Sequence, residues 1–275
     1  MYKVSVITTV YNVEEWLDKN IQAFLNQTLK DTELILVNDC SPDNSQSIID
    51  KYKDDRIKCV INKTNMGPGV SRQIGLDNSC GEYTIFVDGD DWLEPDCLEI
   101  MYNEAINQNA DIVSCKVIQH NDYNLYERDN NGNFVKMDFY SFINNKLIKR
   151  YIWSETHYSP LRFREDINTL FRCLEFSNKT IKLDYAGYHY NLRPNSLTST
   201  PNIAGKSFLY NTLACIENLE FFKDKDIQTS RIYKRYYNLR QVLVGYSIAK
   251  NILKDDINLY KKECDIIDKF IKDNI

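Results

Sequence analysis

The sequence predicts an α/β fold in which a mainly parallel sheet is flanked by helices and followed by a helical C-terminal region. Three observations point there. Between residues 3 and 118, short apolar runs rich in Val and Ile alternate with stretches whose apolar residues recur every three or four positions, the periods of strands and of amphipathic helices. The strand-like runs are apolar on both faces, as in a parallel sheet covered on either side. Beyond about residue 203 only the helical period persists. At 275 residues and 43% hydrophobic content, the chain can bury a substantial core as one large domain or two interlocked ones.

Lys3 to Val10 is the first strand, ended by Tyr11-Asn12. Asn12 reads as a helix cap, with Glu15 three residues on as in a capping box. Val13, Trp16, Leu17, Ile21, Phe24 and Leu25 then mark one helical face. Glu33 to Val37 is a second strand, and Asp43 or Ser45 caps a helix through Ile48, Ile49 and Tyr52. Arg56 to Ile61 is a third strand. The loop Asn65-Met-Gly-Pro-Gly69 leads into a short helix through Arg72 and Leu76. Gly81 turns the chain into Tyr83–Val87, Pro95 suits the first turn of the next helix, and Asp111 to Ile118 is a fifth strand. Asn121 to Asn133 is polar, with a turn at Asn130-Asn-Gly132. Asp138 to Lys149 and Arg164 to Phe176 are predicted helices. Ile181 to Tyr190 is predicted as one or two strands broken at Gly187. Three apolar stripes follow: Leu209, Leu213 and Ile216; Ile232, Tyr236, Leu239, Leu243 and Tyr246; and Ile257, Tyr260, Cys264, Ile267 and Ile271. They read as packing faces.

Composition narrows the classes. The formal charge of −5 provides no basic field for nucleic acid. Eight scattered cysteines without a C-x-x-C pair suggest neither a zinc site nor a disulfide framework, and fit reduced thiols in a cytoplasmic protein. The N-terminus has no signal-peptide organisation. No apolar run approaches the ~20 residues of a membrane span, so any membrane association is expected to be peripheral.

The chemistry collects where strands end. Tyr83–Val87 runs straight into Asp88, Asp90 and Asp91. Adjacent carboxylates at a buried strand end repel one another and are costly to bury unpaired. A divalent cation with its ligand meets that cost, and the carboxyl edge of an open α/β sheet is where ligands bind. Thr8-Thr9-Val10-Tyr11 and Asn38-Asp39 end two other strands, so all three features should share one crevice. Tyr11 offers a flat face for a base, or serves as a packing aromatic. Asp39 can accept a pyrimidine N–H or a ribose hydroxyl, or cap the turn at Ser41–Asp43. Asp90 is a hard oxygen ligand for Mn²⁺ or Mg²⁺, with Asp88 beside it. Gly89 allows the backbone close to a ligand. Asp91 reads as a cap for the helix behind Pro95.

These residues carry a resemblance. Val4-Ser-Val-Ile-Thr-Thr-Val-Tyr-Asn12, Ile35-Leu-Val-Asn-Asp-Cys-Ser-Pro-Asp43, Asn65-Met-Gly67 with Ser71-Arg72 and Gly75, and Phe86-Val-Asp-Gly-Asp-Asp-Trp92 occur in order. Asn145-Lys-Leu147, Glu165-Asp166 and Tyr188-His-Tyr-Asn-Leu-Arg193 with Ser196 follow. The set resembles family 2 glycosyltransferases, whose GT-A fold is a Rossmann-like mixed, mainly parallel sheet. The resemblance implies that Thr8, Thr9, Tyr11 and Asp39 hold the uracil and ribose of a UDP-sugar. Arg72 would lie beside the base or phosphates, Asp88 would touch the ribose or sugar, and Asp90 would ligate the metal. The Asp of the Glu165-Asp166 pair would be the general base of an inverting enzyme, although both acids also suit a helix N-terminus. Arg193 and His189, in the later segment with Ser196, could neutralise the diphosphate; a packed His189 is the plainer role. The chain departs from the usual family pattern at Asn38, where Asp is common, at Cys40, where Gly is common, and at Gln73, where Asn is common.

The expected organisation is a nucleotide-sugar-binding part over residues 1–120, an acceptor-side part over 121–200 and a C-terminal helical region over 201–275, which could also serve a homodimer. The expected partners are a UDP-sugar donor and a carbohydrate or glycoconjugate acceptor. Two alternatives stand beside this. A nucleotidyltransferase would carry a Gly-rich basic loop near the N-terminus, where Thr8–Asn12 has neither Gly nor Lys or Arg. Against a non-catalytic sugar-nucleotide or glycan-binding module stand Asp88, Asp90 and Asp166 together.

Overall fold

The computed structural model of the chain describes residues 2–120, 143–193, 196, 203–223 and 239–274. In chain order these form β1 (Val4–Val10), α1 (Glu14–Leu25), β2 (Thr32–Asn38), α2 (Ser45–Ile49), β3 (Ile57–Ile61), α3 (Pro68–Asp77), β4 (Tyr83–Phe86), β5 (Trp92–Leu93), α4 (Cys97–Asn107) and β6 (Ile112–His120). There follow β7 (Lys146–Lys149), α5 (Ile152–Glu155), α6 (Glu165–Phe176), β8 (Thr180–Asn191), α7 (Ile203–Phe222), α8 (Leu239–Leu253), a 3₁₀ stretch Lys254–Tyr260 and α9 (Lys261–Asn274).

The strands build one mixed sheet in the order β3-β2-β1-β4-β7-β6-β8-β5. Its first four members are parallel neighbours. Beyond them β7 enters antiparallel between β4 and β6, β8 runs parallel to β6, and β5 closes the edge antiparallel to β8. Alternation along β1 and β2 fills both faces of the sheet. Val4, Val6, Leu34 and Leu36 join α1 and α4 in one core, while Ile7, Ile35 and Val37 join α3, α6 and Tyr158 in the other. A third core binds α7, α8 and α9, with Leu161, Phe171 and Phe176 packed against it. Helix α6 therefore faces the sheet and the C-terminal helices at once. Among the described residues no helix is long and apolar enough to cross a membrane.

Three expectations are corrected and one is sharpened. Lys146–Lys149 is a strand, not the end of a helix from Asp138; residues 138–142 lie outside the described residues. The spacing of Ile143 and Leu147 fits a helix, but β7 pairs with β4 and β6 and takes its hydrogen bonds from them. Asn12 does not cap α1: its φ is 55° and Val13 holds the N-cap position. Asp43 reaches over from beyond β2 instead, accepting Glu14 N–H at 2.9 Å and Ser45 N–H at 3.1 Å, and so serves the starts of both α1 and α2. Residues 180–191 form one strand rather than two, and its register against β6 slips twice, between Lys182 and Ala186 and again across Gly187, where the break is expected. In the second C-terminal stripe Leu243 is 41% exposed, and Val242, Tyr246, Ala249 and Leu253 do the packing. Ile232, Tyr236 and the turn at 130–132 lie outside the described residues.

Candidate active site

Because β2, β1 and β4 are adjacent and parallel, Asp39, Tyr11 and the acidic turn at 88–91 emerge at one sheet edge, as the strand-end argument requires. The turn itself is tightly held. A Cβ on Gly89 would stand 2.9 Å from Val13 Cγ2 and 3.0 Å from the Thr9 carbonyl, so the glycine serves contact with β1 as much as access for a ligand. Asn20 Nδ2 donates to the carbonyls of Asp88 at 3.0 Å and Asp91 at 2.8 Å. That role was missed in the sequence, yet a polar residue between Leu17 and Ile21 on the apolar face of α1 was a readable signal.

The three acids divide their work. Asp91 is buried and turns inward: Tyr188 O–H donates to it at 2.5 Å and Asn191 N–H at 2.8 Å. It pins β8 to the acidic turn and does not cap α4, which starts at Cys97. Burial, then the charges of Asp90 and Asp88, push its carboxyl well above the ordinary range. Asp90 receives Arg193 Nε at 2.5 Å, and Arg193 Nη1 donates to the Asn12 carbonyl at 3.2 Å with its guanidinium 5.1 Å from the Trp16 ring centroid. Burial, then Asp88, push the Asp90 carboxyl up, and Arg193 opposes them. Asp88 instead pairs with Arg72 Nη2 at 2.6 Å.

Arg72 is buried and joins two elements. Its Nη1 donates to Glu165 Oε1 at 2.5 Å, so one guanidinium links the acidic turn to the first residue of α6. Asp166 follows, half-buried, with Arg164 before the helix in the left-handed region at φ 63°. Burial raises the Asp166 carboxyl, and Asp88 adds to this against Arg72 and Arg164. Burial likewise takes Glu165 up to about 7. Lys146, buried with Nζ donating to Asn145 Oδ1 at 2.8 Å, is lowered by burial to about 8, with Cys115 and Asp166 pulling the other way. A raised carboxylate close to acids and cations is the environment of a proton acceptor.

At the end of β1, Tyr11 is 44% exposed. Thr9 is half-buried; Thr8 is fully buried, with Oγ1 unpartnered among the described residues. Asp39 accepts Asn62 Nδ2 at 2.8 Å, Met66 N–H at 2.9 Å and Gly67 N–H at 2.8 Å. It shapes the Asn65–Gly69 loop and is itself buried. His189 is engaged elsewhere. Its Nε2 meets Glu94 at 2.7 Å, its Nδ1 meets His120 at 2.8 Å, and its ring stacks on Trp92. Burial lowers its pKa, with Glu94 opposing. Ser196 is half-buried.

The acids at the sheet edge also fit a hard divalent cation. Among the described residues no group of three His, Cys, Asp or Glu gathers into a complete cage. Mg²⁺-type sites, however, take one or two carboxylates and complete their shell with phosphate and water. Asp90 and Asp88 provide that number, and the Arg193 guanidinium already stands where positive charge is wanted.

The parallel-sheet edge thus carries an acidic turn, an exposed aromatic and two guanidiniums together, in an α/β fold. The chain belongs to glycosyl transferase family 2, whose family model matches residues 5–171. It is 48% identical over 114 residues to the cholesterol galactosyltransferase of Borreliella burgdorferi, covering 41% of this chain and 32% of that protein. It is 30% identical over 267 residues to the poly(ribitol-phosphate) beta-N-acetylglucosaminyltransferase TarP of Staphylococcus aureus, covering 90% and 79%. Several other glycosyltransferases that it matches are likewise spanned over less than two thirds of their length. The crystal structure of S. aureus TarS 1-349 with UDP-GlcNAc shares the fold, with a TM-score of 0.69 at 20% identity, over 91% of this chain and 81% of that one. The GT-A expectation therefore holds.

Proposed function

We propose that the protein is a metal-dependent, inverting glycosyltransferase that moves a sugar from a UDP-sugar to a hydroxyl of a carbohydrate or glycoconjugate acceptor. The observation that carries this is the gathering of Asp88, Asp90 and the start of α6 around Arg72 and Arg193. Buried and half-buried carboxylates and guanidiniums alternate there, as a site for a diphosphate leaving group and an incoming hydroxyl requires.

Residues 1–120 form the donor side. Tyr11 lies against the base, Asp39 accepts a base N–H or ribose hydroxyl, and Asp88 faces the ribose or sugar. Asp90, with Asp88, would hold Mn²⁺ or Mg²⁺, which stabilises the charge that a departing diphosphate develops. Arg193 is close enough to share that charge once released from Asp90. Residues 121–200 form the acceptor side. Asp166 takes the proton of the attacking hydroxyl, which displaces UDP from the anomeric carbon. A single displacement on an α-linked donor yields a β-linked product. The TarS complex with UDP-GlcNAc and the β-transferring name of TarP support a UDP-sugar donor and this stereochemistry. Eight cysteines outside any disulfide among the described residues fit a cytoplasmic setting.

The test is a screen of UDP-sugars with and without Mn²⁺, read as released UDP, on the wild type and Asp166→Asn. The reading expects metal-stimulated release in the wild type and retained UDP binding with lost turnover in the variant. Loss of UDP binding in Asp166→Asn would move that residue to the donor side. A non-catalytic binding module would release no UDP from any donor.

A further inference from the structure

Behind α6 lies a buried polar network that the proposed reaction leaves unused. Arg172, six residues after Asp166 on the same helix, is 0% exposed. Its Nη2 lies 2.8 Å from Glu217 Oε1 on α7, its Nε donates to Asn218 Oδ1 at 2.5 Å, and its Nη1 meets His157 Nε2 at 3.2 Å. The guanidinium also sits 4.4 Å from the Phe221 ring centroid. Glu217 Oε2 accepts Ser159 Oγ and Asn168 Nδ2, each at 2.6 Å. Asn218 Nδ2 donates to Asn168 Oδ1. One acid from the C-terminal helices thus ties together α6 and the segment that precedes it.

That segment also touches the donor loop. Arg162 donates to Asn65 Oδ1 and to the Asn65 carbonyl, each at 2.9 Å. A Cβ on Gly69 would stand 2.0 Å from the Ser159 carbonyl, so α3 begins flush against it. The same loop is shaped by Asp39 through Met66 and Gly67. Residues 157–168 therefore bridge the nucleotide loop and Asp166, and Glu217 fastens the bridge from behind.

We infer that Glu217, acting through Ser159, Asn168 and Arg172, is a positioning residue that holds Asp166 in register with the donor loop, which makes α7 part of the working transferase. The inference rests on Asp166 being the base. Burial of a charged arginine against a single carboxylate is weak evidence for stability alone, since apolar replacements of such pairs are often neutral. A misplacement of about 1 Å in a reacting geometry, by contrast, costs up to about 100-fold in rate.

The experiment compares Glu217→Gln, Arg172→Lys and Asp166→Asn in the full chain. UDP-binding stoichiometry and affinity are measured by calorimetry, and donor turnover is expressed per UDP-binding site. The expected result for Glu217→Gln and Arg172→Lys is UDP affinity within about twofold of wild type and kcat per site lowered about tenfold or more, KM for the donor holding steady, as loss of geometry rather than binding requires. Normal turnover per site in both variants, with fewer sites, would reduce the network to a folding role and overturn the inference while Asp166→Asn remains inactive. Full turnover in Asp166→Asn would overturn the base assignment itself.

Discussion

In the proposed reaction Asp90 and Asp166 bear the chemistry, and Arg72 links the acidic turn of the first to the helix of the second. At Asp166 burial raises the carboxyl, and a general base works only when deprotonated. Activity should therefore be fully present above this raised pKa and lost as the pH falls through it. The acid limb of the kcat profile is expected above the range of an exposed carboxylate, and a limb at or below about 4, the unperturbed Asp value, would contradict the environment described. Gly89 makes a second prediction at this scale. Ala there places its Cβ 2.9 Å from Val13 Cγ2 and 3.0 Å from a backbone carbonyl. Overpacking of that kind costs about 1–3 kcal/mol, which chemical denaturation of Gly89→Ala would register. An unchanged midpoint would show that the turn can give way.

Among the elements, α1 and α2 start from one shared acceptor. Burial alone would raise Asp43, but hydrogen bonds from Ser41, Ser45 and Glu14 hold its carboxyl below the usual value. A folded-state pKa below the unfolded one contributes stability that is present above the unfolded pKa and lost as the pH falls through the folded one. Asp43→Ala should cost about 0.5–2 kcal/mol, as lost helix caps do, with the difference from wild type shrinking at low pH. A cost independent of pH would mean that the hydrogen bonds are not to the carboxylate. This cap also marks the limit of what the sequence could disclose. Although Asn44 holds the N-cap position, Asp43 was legible as an acceptor at the start of the helix after it, because that contact is local. Its reach to Glu14, 29 residues earlier, depends on β1 and β2 lying side by side. The misread strand Lys146–Lys149 has the same cause. A four-residue element has too few positions to declare a period, and only its neighbours β4 and β6 decide it.

Across the molecule, the donor edge was the most readable part, because parallel strand order follows from alternation and brings strand ends together whatever the side chains do. The linkage of Arg72 to both Asp88 and Glu165 was not readable, since it joins residues 93 positions apart. The third core was readable in part: Leu209, Leu213, Ile216, Cys264 and Ile267 of the expected stripes lie in it, whereas Phe222, fully buried among the C-terminal helices and close to Phe176 of α6, was not. Phe222→Ala should destabilise the chain by about 3–5 kcal/mol, as large-to-small changes at buried Phe do. If that core supports α6, turnover at moderate temperature should fall together with the thermal midpoint. A lowered midpoint with two separated transitions would show instead that the C-terminal helices melt independently.

The central claim is that the acids ending β4 handle a diphosphate leaving group with a divalent cation, and Asp90→Ala tests it most directly. UDP release from the preferred UDP-sugar would be followed across a Mn²⁺ titration for wild type and variant, with far-UV circular dichroism confirming the fold of each. The account predicts a saturable rise in release for the wild type and a flat, near-zero trace for folded Asp90→Ala. A variant that releases UDP at the wild-type rate with the same metal dependence would contradict it.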